Sequence, residues 1–242
     1  MIPKIIHYCW FGRGKMPELA LKCINSWNEY MSDYEIMLWN EDNFDLNRYP
    51  YALEAYNEKK FAFVTDVCRL YALKKYGGIY MDTDVEILKP LDNNLLINIS
   101  FSGFEDNDHV PTGIMGSIKG GQWVSDLLEY YENRSFFLAD GGQDVTTNTH
   151  IITEFMKQEK GLIMNNTFQK IENYCTIYPS DYFCPKSWKT MDINITSNTY
   201  CIHHFAASWW AKPRYSLKYR IINFFLGKKN TTRLFNYYQN LK

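Results

Sequence analysis

Asp82-Thr83-Asp84 sets two carboxylates one residue apart, directly after the apolar run Ile79-Tyr80-Met81. Paired hard-oxygen ligands of this kind suit Mg²⁺ or Mn²⁺, which keep several waters and bind phosphate oxygens beside one or two carboxylates. An ion held there neutralises charge that builds on a departing diphosphate. The spacing alone is a weak signal. Upstream, Asp66 and Arg69 stand three residues apart, hence on one face of a helix. A carboxylate accepts from two hydroxyls, and a guanidinium offers a rigid fork of donors. The competing account of that pair is a surface ion pair of little consequence.

These residues need elements to position them. Lys4-Ile5-Ile6-His7-Tyr8-Cys9-Trp10-Phe11 is an apolar run between Pro3 and Gly12 and predicts a buried first strand. Residues 17–30 predict a helix, and residues 34–39 a second strand closed by Asn40-Glu41-Asp42-Asn43. Strand, helix and strand in that order predict an α/β domain with a parallel sheet of the nucleotide-binding kind. Over residues 59–76, Phe63, Val67, Leu70, Tyr71 and Lys74 recur at helical spacing, and Gly77-Gly78 supplies the stop. A helix that turns there into a strand ending in the acidic pair carries Asp66 and Arg69 toward the strand's carboxyl end. Ligands bind at that end in open α/β sheets. Val85, Ile87 and Leu88 continue extended to Pro90. From residue 91 the pattern weakens, with helices predicted over 123–131 and 150–158.

The chain of 242 residues is 46% hydrophobic and 17% aromatic, enough for one domain with a sizeable core. Its net charge of -1 argues against nucleic acid as a partner of the whole chain. None of the six cysteines falls in a CxxC pair, so a zinc knuckle or thioredoxin-like motif is excluded. No apolar h-region opens the sequence and no segment reaches the ~20 apolar residues that span a bilayer. Cytoplasmic residence with free thiols is the expectation. The domain is read as residues 1–211, followed by a basic, aromatic segment over 212–242 that lacks Asp and Glu. Two readings of that segment stand: an amphipathic stretch in peripheral contact with the inner face of an anionic membrane, or a helix packed on the domain with a solvated basic face.

The stretch Phe61-Ala62-Phe63-Val64-Thr65-Asp66-Val67-Cys68-Arg69-Leu70-Tyr71-Ala72-Leu73-Lys74-Lys75-Tyr76-Gly77-Gly78-Ile79-Tyr80-Met81-Asp82-Thr83-Asp84 closely resembles glycosyltransferase family 32. That family holds fungal initiating mannosyltransferases and bacterial capsule and surface-polysaccharide transferases. A more distant similarity runs to the glucosylating domains of large clostridial toxins. The combination of Asp-x-x-Arg, Gly-Gly-x-Tyr and DxD is far more specific than any part. Supporting matches lie at Ile2-Pro3-Lys4-Ile5-Ile6-His7-Tyr8-Cys9-Trp10-Phe11-Gly12 and at His203-His204-Phe205-Ala206-Ala207-Ser208-Trp209-Trp210.

The resemblance implies a GT-A type, Rossmann-like sheet flanked by helices in a single domain. It further implies retaining transfer of a hexose from a UDP- or GDP-sugar to a glycan or lipid-linked oligosaccharide, with Mn²⁺ or Mg²⁺. Capsule or another surface polysaccharide is the expected setting. By the same resemblance Asp84 is the direct metal ligand, and Asp82 contacts both metal and ribose. Asp66 and Arg69 hold donor-sugar hydroxyls. Trp10, beside Cys9, stacks on the base, with a plain core tryptophan as the competing account. His204 and Ser208 complete the metal shell and Trp209 donates to phosphate, although the adjacent His203 and His204 leave that alignment open by one residue. Asp144, in a glycine-rich loop, either faces the anomeric centre or caps the next helix. Two other classes remain. Asp82-Thr83-Asp84-Val85 also fits the D-x-D-x-[TV] of haloacid dehalogenase-type phosphatases, with Asp82 as nucleophile. A carbohydrate-binding relic without catalysis is the third.

Overall fold

The computed structural model describes residues 1–110 and 113–206. In chain order the elements are β1 (Ile5–Cys9), α1 (Glu18–Tyr30), β2 (Glu35–Trp39), α2 (Pro50–Asn57), α3 (Phe61–Tyr76) and β3 (Gly78–Met81). There follow β4 (Val85–Ile87), α4 (Asn93–Leu96), β5 (Ser100–Gly103), β6 (Ile114–Ser117) and α5 (Gln122–Glu129). The last are α6 (Asn148–Lys160), β7 (Gln169–Ile171), β8 (Cys175–Tyr178), α7 (Ser180–Phe183) and β9 (Cys201–His203). The elements predicted in the first half are matched to within about two residues at each end, the usual uncertainty of helix and strand boundaries, and α2 is a helix not anticipated from the sequence.

Seven strands form one sheet in the order β2-β1-β3-β6-β5-β8-β7, and β4 pairs with β9 in a separate ribbon. Side chains alternate across the sheet as the pleat requires. Tyr80 and Met115 enter one hydrophobic cluster with α2, α3, α5 and α6. Ile79, Met81 and Ile114 enter the other with α1, α4 and α7. Both faces are therefore covered, which explains why β3 reads as a continuous apolar run.

The parallel sheet expected from the sequence is found only in part. β2, β1 and β3 run parallel, but β6 lies antiparallel to β3 and β5, and β7 antiparallel to β8. The physical reason is connection type. A parallel return needs a crossover, usually a helix, and the described residues between β5 and β6 contain none. β5 and β8 nevertheless run parallel to each other and, through the antiparallel β6, in the same sense as β3. The carboxyl ends of β1, β3, β5 and β8 thus share one sheet edge.

Gly77-Gly78 makes the tight turn between α3 and β3. Gly77 has φ +69° and Gly78 φ +107°, a region unfavourable to any residue with a Cβ. Added Cβ atoms would lie 2.6 Å from the Lys119 nitrogen and 2.6 Å from the Ile5 carbonyl oxygen, respectively. Buried His7 holds the turn from below. Its Nδ1 accepts from Trp39 Nε1 at 3.1 Å, which leaves Nε2 to donate to the Gly77 carbonyl at 2.8 Å. Burial lowers this imidazole to about 4, so it is neutral, as those two bonds require.

Residues 212–242, with both readings of the basic segment, lie outside the described residues, as do Ser208 and Trp209. Among the described residues no helix is long and apolar enough to cross a membrane. Replacing Gly78 by Ala should cost about 2 kcal/mol or more through strain and the clash with Ile5. Urea denaturation measures this; a loss below about 0.5 kcal/mol contradicts the close-approach account.

Candidate functional site

α3 is buried on almost every side and carries two charged side chains into the interior, Asp66 at 7% exposure and Arg69 at 5%. Such burial is costly unless each charge is paired and hydrogen-bonded. Arg69 Nη2 lies 3.2 Å from Asp66 Oδ1 and 3.3 Å from Asp82 Oδ1, so one guanidinium links α3 to the end of β3. Its Cζ lies 4.5 Å from the centroid of the Tyr80 ring, and the Tyr80 hydroxyl donates to Asp82 Oδ1 at 2.6 Å. Burial works against the arginine charge, but Asp82, Tyr80 and Asp66 together hold it firmly protonated. Asp66 and Arg69 are therefore no surface ion pair.

Asp66 has a third support that the sequence did not reveal. α6 begins at Asn148, whose Nδ2 donates to the Asp66 carbonyl at 3.2 Å, and whose amide also faces the Asp66 carboxylate. Asn148 Oδ1 is buried and, among the described residues, has no hydrogen-bond partner. An acceptor left unpaired in this position can receive a ligand hydroxyl. An asparagine opening a helix ordinarily signals only a cap, so no pattern pointed to it. Burial, opposed by Arg69 and reinforced by Asp82, raises the Asp66 carboxyl from 3.8 to about 6.

Asp82, Asp84 and His203 form a group whose ligand atoms all lie within 4.8 Å of one another. Three features hold them. The Asp82 amide donates to the Gly113 carbonyl at 2.8 Å. β4 pairs with β9 in the register Val85 to His203, which carries the end of β9 alongside the acidic pair. The Ala206 amide donates to Asp84 Oδ2 at 2.7 Å. His203 Nε2 is 3.3 Å from Asp84 Oδ1. Burial pushes Asp84 up, but His203 and the Ala206 amide outweigh it and bring the carboxyl to about 2. Burial lowers His203, and Asp84 more than compensates, raising it well above the usual imidazole range. Two carboxylates and an imidazole suit a divalent ion that takes oxygen and nitrogen ligands, once the proton on His203 has left.

Of the two adjacent histidines, His203 is the one set beside the acidic pair. His204, expected at the metal, turns the other way and sets Nε2 2.7 Å from Glu86 Oε2; Lys22 pairs with the same carboxylate at 2.7 Å. Successive side chains of an extended chain point to opposite sides, so only one of the two can face Asp84. The sequence holds the alternation but not the register that decides it.

Trp10 stands half-exposed at the carboxyl end of β1 and belongs to neither hydrophobic cluster; Trp39 is the core tryptophan there. Its amide donates to the Trp39 carbonyl at 2.9 Å and its indole to the Gly14 carbonyl at 2.6 Å. The Cys9 side chain is buried in the core beside Cys68, leaving that residue only main-chain atoms to offer a ligand. Asp144 neither caps the next helix nor stands open to a ligand. Its Oδ2 pairs with Arg134 at 2.8 Å, and Thr147 Oγ1 caps α6 by accepting from the His150 amide at 3.3 Å.

Residues 17–102, which include Asp66, Arg69, Asp82 and Asp84, match the family model described as a glycosyltransferase sugar-binding region containing a DXD motif. The chain is 34% identical to inositol phosphoceramide mannosyltransferase 3 of Schizosaccharomyces pombe, over 49% of this chain and 34% of that protein. The match therefore spans about a third of the length of that relative. An uncharacterized glycosyltransferase of Acanthamoeba polyphaga mimivirus is 26% identical over 86% of this chain and 84% of its own. Among solved structures the PaToxG glycosyltransferase superposes with a TM-score of 0.51 at 18% identity, covering 65% of this chain and 69% of that one. That likeness shows the fold, a GT-A sheet flanked by helices.

The raised Asp66 carboxyl gives a test by linkage. A folded-state value above the unfolded one stabilises the fold at low pH, and that contribution is lost as pH rises from 3.8 through about 6. The loss amounts to about 3 kcal/mol. Asp66→Asn does not titrate, so its stability relative to wild type should rise between about pH 4 and pH 7. Paired denaturation curves at both pH values read this difference, and a flat difference contradicts the assignment.

Proposed function

We propose that this chain, whose residues 17–102 match a glycosyltransferase sugar-binding region containing a DXD motif, is a family 32 type glycosyltransferase that moves a hexose from a UDP- or GDP-sugar to a glycan hydroxyl with retention at the anomeric carbon, using Mn²⁺ or Mg²⁺. One observation carries the reading: Asp82, Asp84 and His203 converge at the carboxyl end of β3, where Arg69 ties them to buried Asp66. The ion supplies charge neutralisation on the leaving diphosphate. Asp84 and His203 would hold it directly, and Asp82 would be shared between the ion and the ribose.

The other residues position the donor. Trp10 offers an aromatic face to the base at the end of β1. Asp66 accepts from sugar hydroxyls, Arg69 donates to them, and Asn148 Oδ1 adds an acceptor. Transfer breaks the bond between the anomeric carbon and the phosphate oxygen and forms one from the acceptor oxygen to the same face. The acceptor proton passes to the departing phosphate oxygen, so no protein nucleophile is needed. Catalysis then rests on orientation and on charge stabilisation in a site organised before the substrate arrives. The haloacid dehalogenase alternative asks Asp82 to attack phosphorus, yet its Oδ1 already accepts from Tyr80 and pairs with Arg69.

The acceptor is a glycan or a lipid-linked oligosaccharide, in keeping with assembly of a surface polysaccharide. A mannose donor is favoured by the mannosyltransferase named among the relatives.

A panel of nucleotide sugars assayed for Mn²⁺-dependent hydrolysis tests the donor reading without knowledge of the acceptor. One UDP- or GDP-sugar should turn over, chelator should stop it, and Asp84→Ala should lose at least about 100-fold. Wild-type rates in Asp84→Ala sink the metal assignment. His203→Ala should weaken Mn²⁺ at least about tenfold while His204→Ala changes it by less than about threefold. Equal losses contradict the choice of His203. Because Mn²⁺ must displace the His203 proton, its apparent affinity should rise with pH.

A further inference from the structure

A second concave site lies on the same edge of the sheet. β5 ends at Gly103 and β8 at Tyr178, and the residues that follow each strand, Glu105 and Asp106 after β5, Ser180 and Asp181 after β8, line a cleft of about 260 Å³. Because β5 and β8 run in the same sense as β3, this cleft and the Asp82-Asp84 site occupy carboxyl ends of one sheet, on opposite sides of β6. They share a wall. Cys184 lines the cleft, and its thiol lies beside the His203 ring.

The lining has a definite chemistry. Trp188 is half-buried, and its indole Nε1 donates to Asp106 Oδ2 at 3.0 Å, which fixes the ring. Lys189 pairs with Asp106 at 3.5 Å and so supports the same carboxylate, with its ammonium 5.3 Å from the centroid of the Trp188 ring. The cleft is also lined by three carboxylates, Glu105, Asp106 and Asp181, and by the amide side chains of Asn107, Asn166 and Asn194. No arginine lines the cleft. A phosphate would meet an acidic wall without the bidentate donors that recognise it. A metal ion is not indicated either, because among the described residues the clustered ligands are Asp82, Asp84 and His203. An uncharged polyol fits. Its hydroxyls donate to carboxylates, bond amides in both senses, and leave the apolar face of the ring for the indole.

We infer that the cleft between the ends of β5 and β8 is the acceptor subsite and takes a neutral sugar ring, held against Trp188. This assignment to the acceptor rests on the transferase reading given above. The cleft and the Asp82-Asp84 site lie on one sheet edge and adjoin at Cys184 and His203. The volume is slightly below the usual range for small-molecule pockets, about 300 Å³ upward, which suits one ring rather than an extended chain. Asp106 acts as a positioning residue through Trp188.

Saturation-transfer NMR on the full chain tests this with neutral methyl hexopyranosides and, as anionic comparators, hexose 6-phosphates. At least one methyl hexoside should receive saturation at its ring protons, and the phosphates at least about fivefold less. Trp188→Ala should lose the methyl hexoside signal at least about fivefold, whereas Trp188→Phe, which keeps an aromatic face, should retain more than about half of it. Mn²⁺ affinity, read on the same samples, reports that each variant is folded at the neighbouring site. Full signal in Trp188→Ala, preference for the phosphates, or no methyl hexoside binding by wild type each overturns the proposal. Failure of the donor reading shows separately, as a wild-type protein that hydrolyses no nucleotide sugar; sugar binding that depends on Trp188 would then mark a sugar site that is not an acceptor subsite.

Discussion

The Arg69 guanidinium is the constraint on which the rest depends. It is buried at the junction of α3 and β3 and is held between Asp66 and Asp82 over the Tyr80 ring. Removing a charge from water costs several kcal/mol, and the cost is recovered only when partners sit in good geometry. α3 and β3 must therefore meet at a fixed height and rotation. The Gly77-Gly78 turn makes that approach sterically feasible, and neutral His7 fixes the turn from the neighbouring strands. Local chemistry and global fold agree here, as expected of a sequence that specifies one structure.

The charge balance around Arg69 explains why the same site suits a cation. Asp66, Asp82 and Asp84 outnumber Arg69 even with His203 protonated, and Asp66 is pushed up to about 6. A partly buried surplus of negative charge is costly and favours any ion that relieves it. The sheet then distributes the remaining tasks. β1 and β3 present the residues assigned to the donor, while β5 and β8 present the cleft assigned to the acceptor. Antiparallel β6 separates the two halves.

Much of the half built around α3 and β3 was legible in the sequence. α3 shows its helical period, Gly77-Gly78 its end, and Ile79-Tyr80-Met81 its following strand, because each signal is local. The second half was not. β5, β6 and β8 have four residues each and mix serine, threonine and glycine with apolar side chains, too short to show a period. Their pairing is set by tertiary contacts: Gly116, for example, leaves the space that the Phe101 ring fills. The choice of His203 over His204 depends on the register of β9 against β4, and Asn148 enters the site only because α6 starts against Asp66. The cleft around Trp188 joins loops far apart in sequence, so no motif marks it.

The central claim is that Asp82, Asp84 and His203 hold one divalent ion beside Arg69. Anomalous diffraction from crystals grown with Mn²⁺ and a nucleoside diphosphate locates that ion directly. The account predicts a single peak within coordinating distance, about 2.0–2.4 Å, of Asp84 and His203, with the diphosphate oxygens completing the shell. A peak bound by His204 and Glu86, or bound nucleotide with no ion at Asp84, would contradict it.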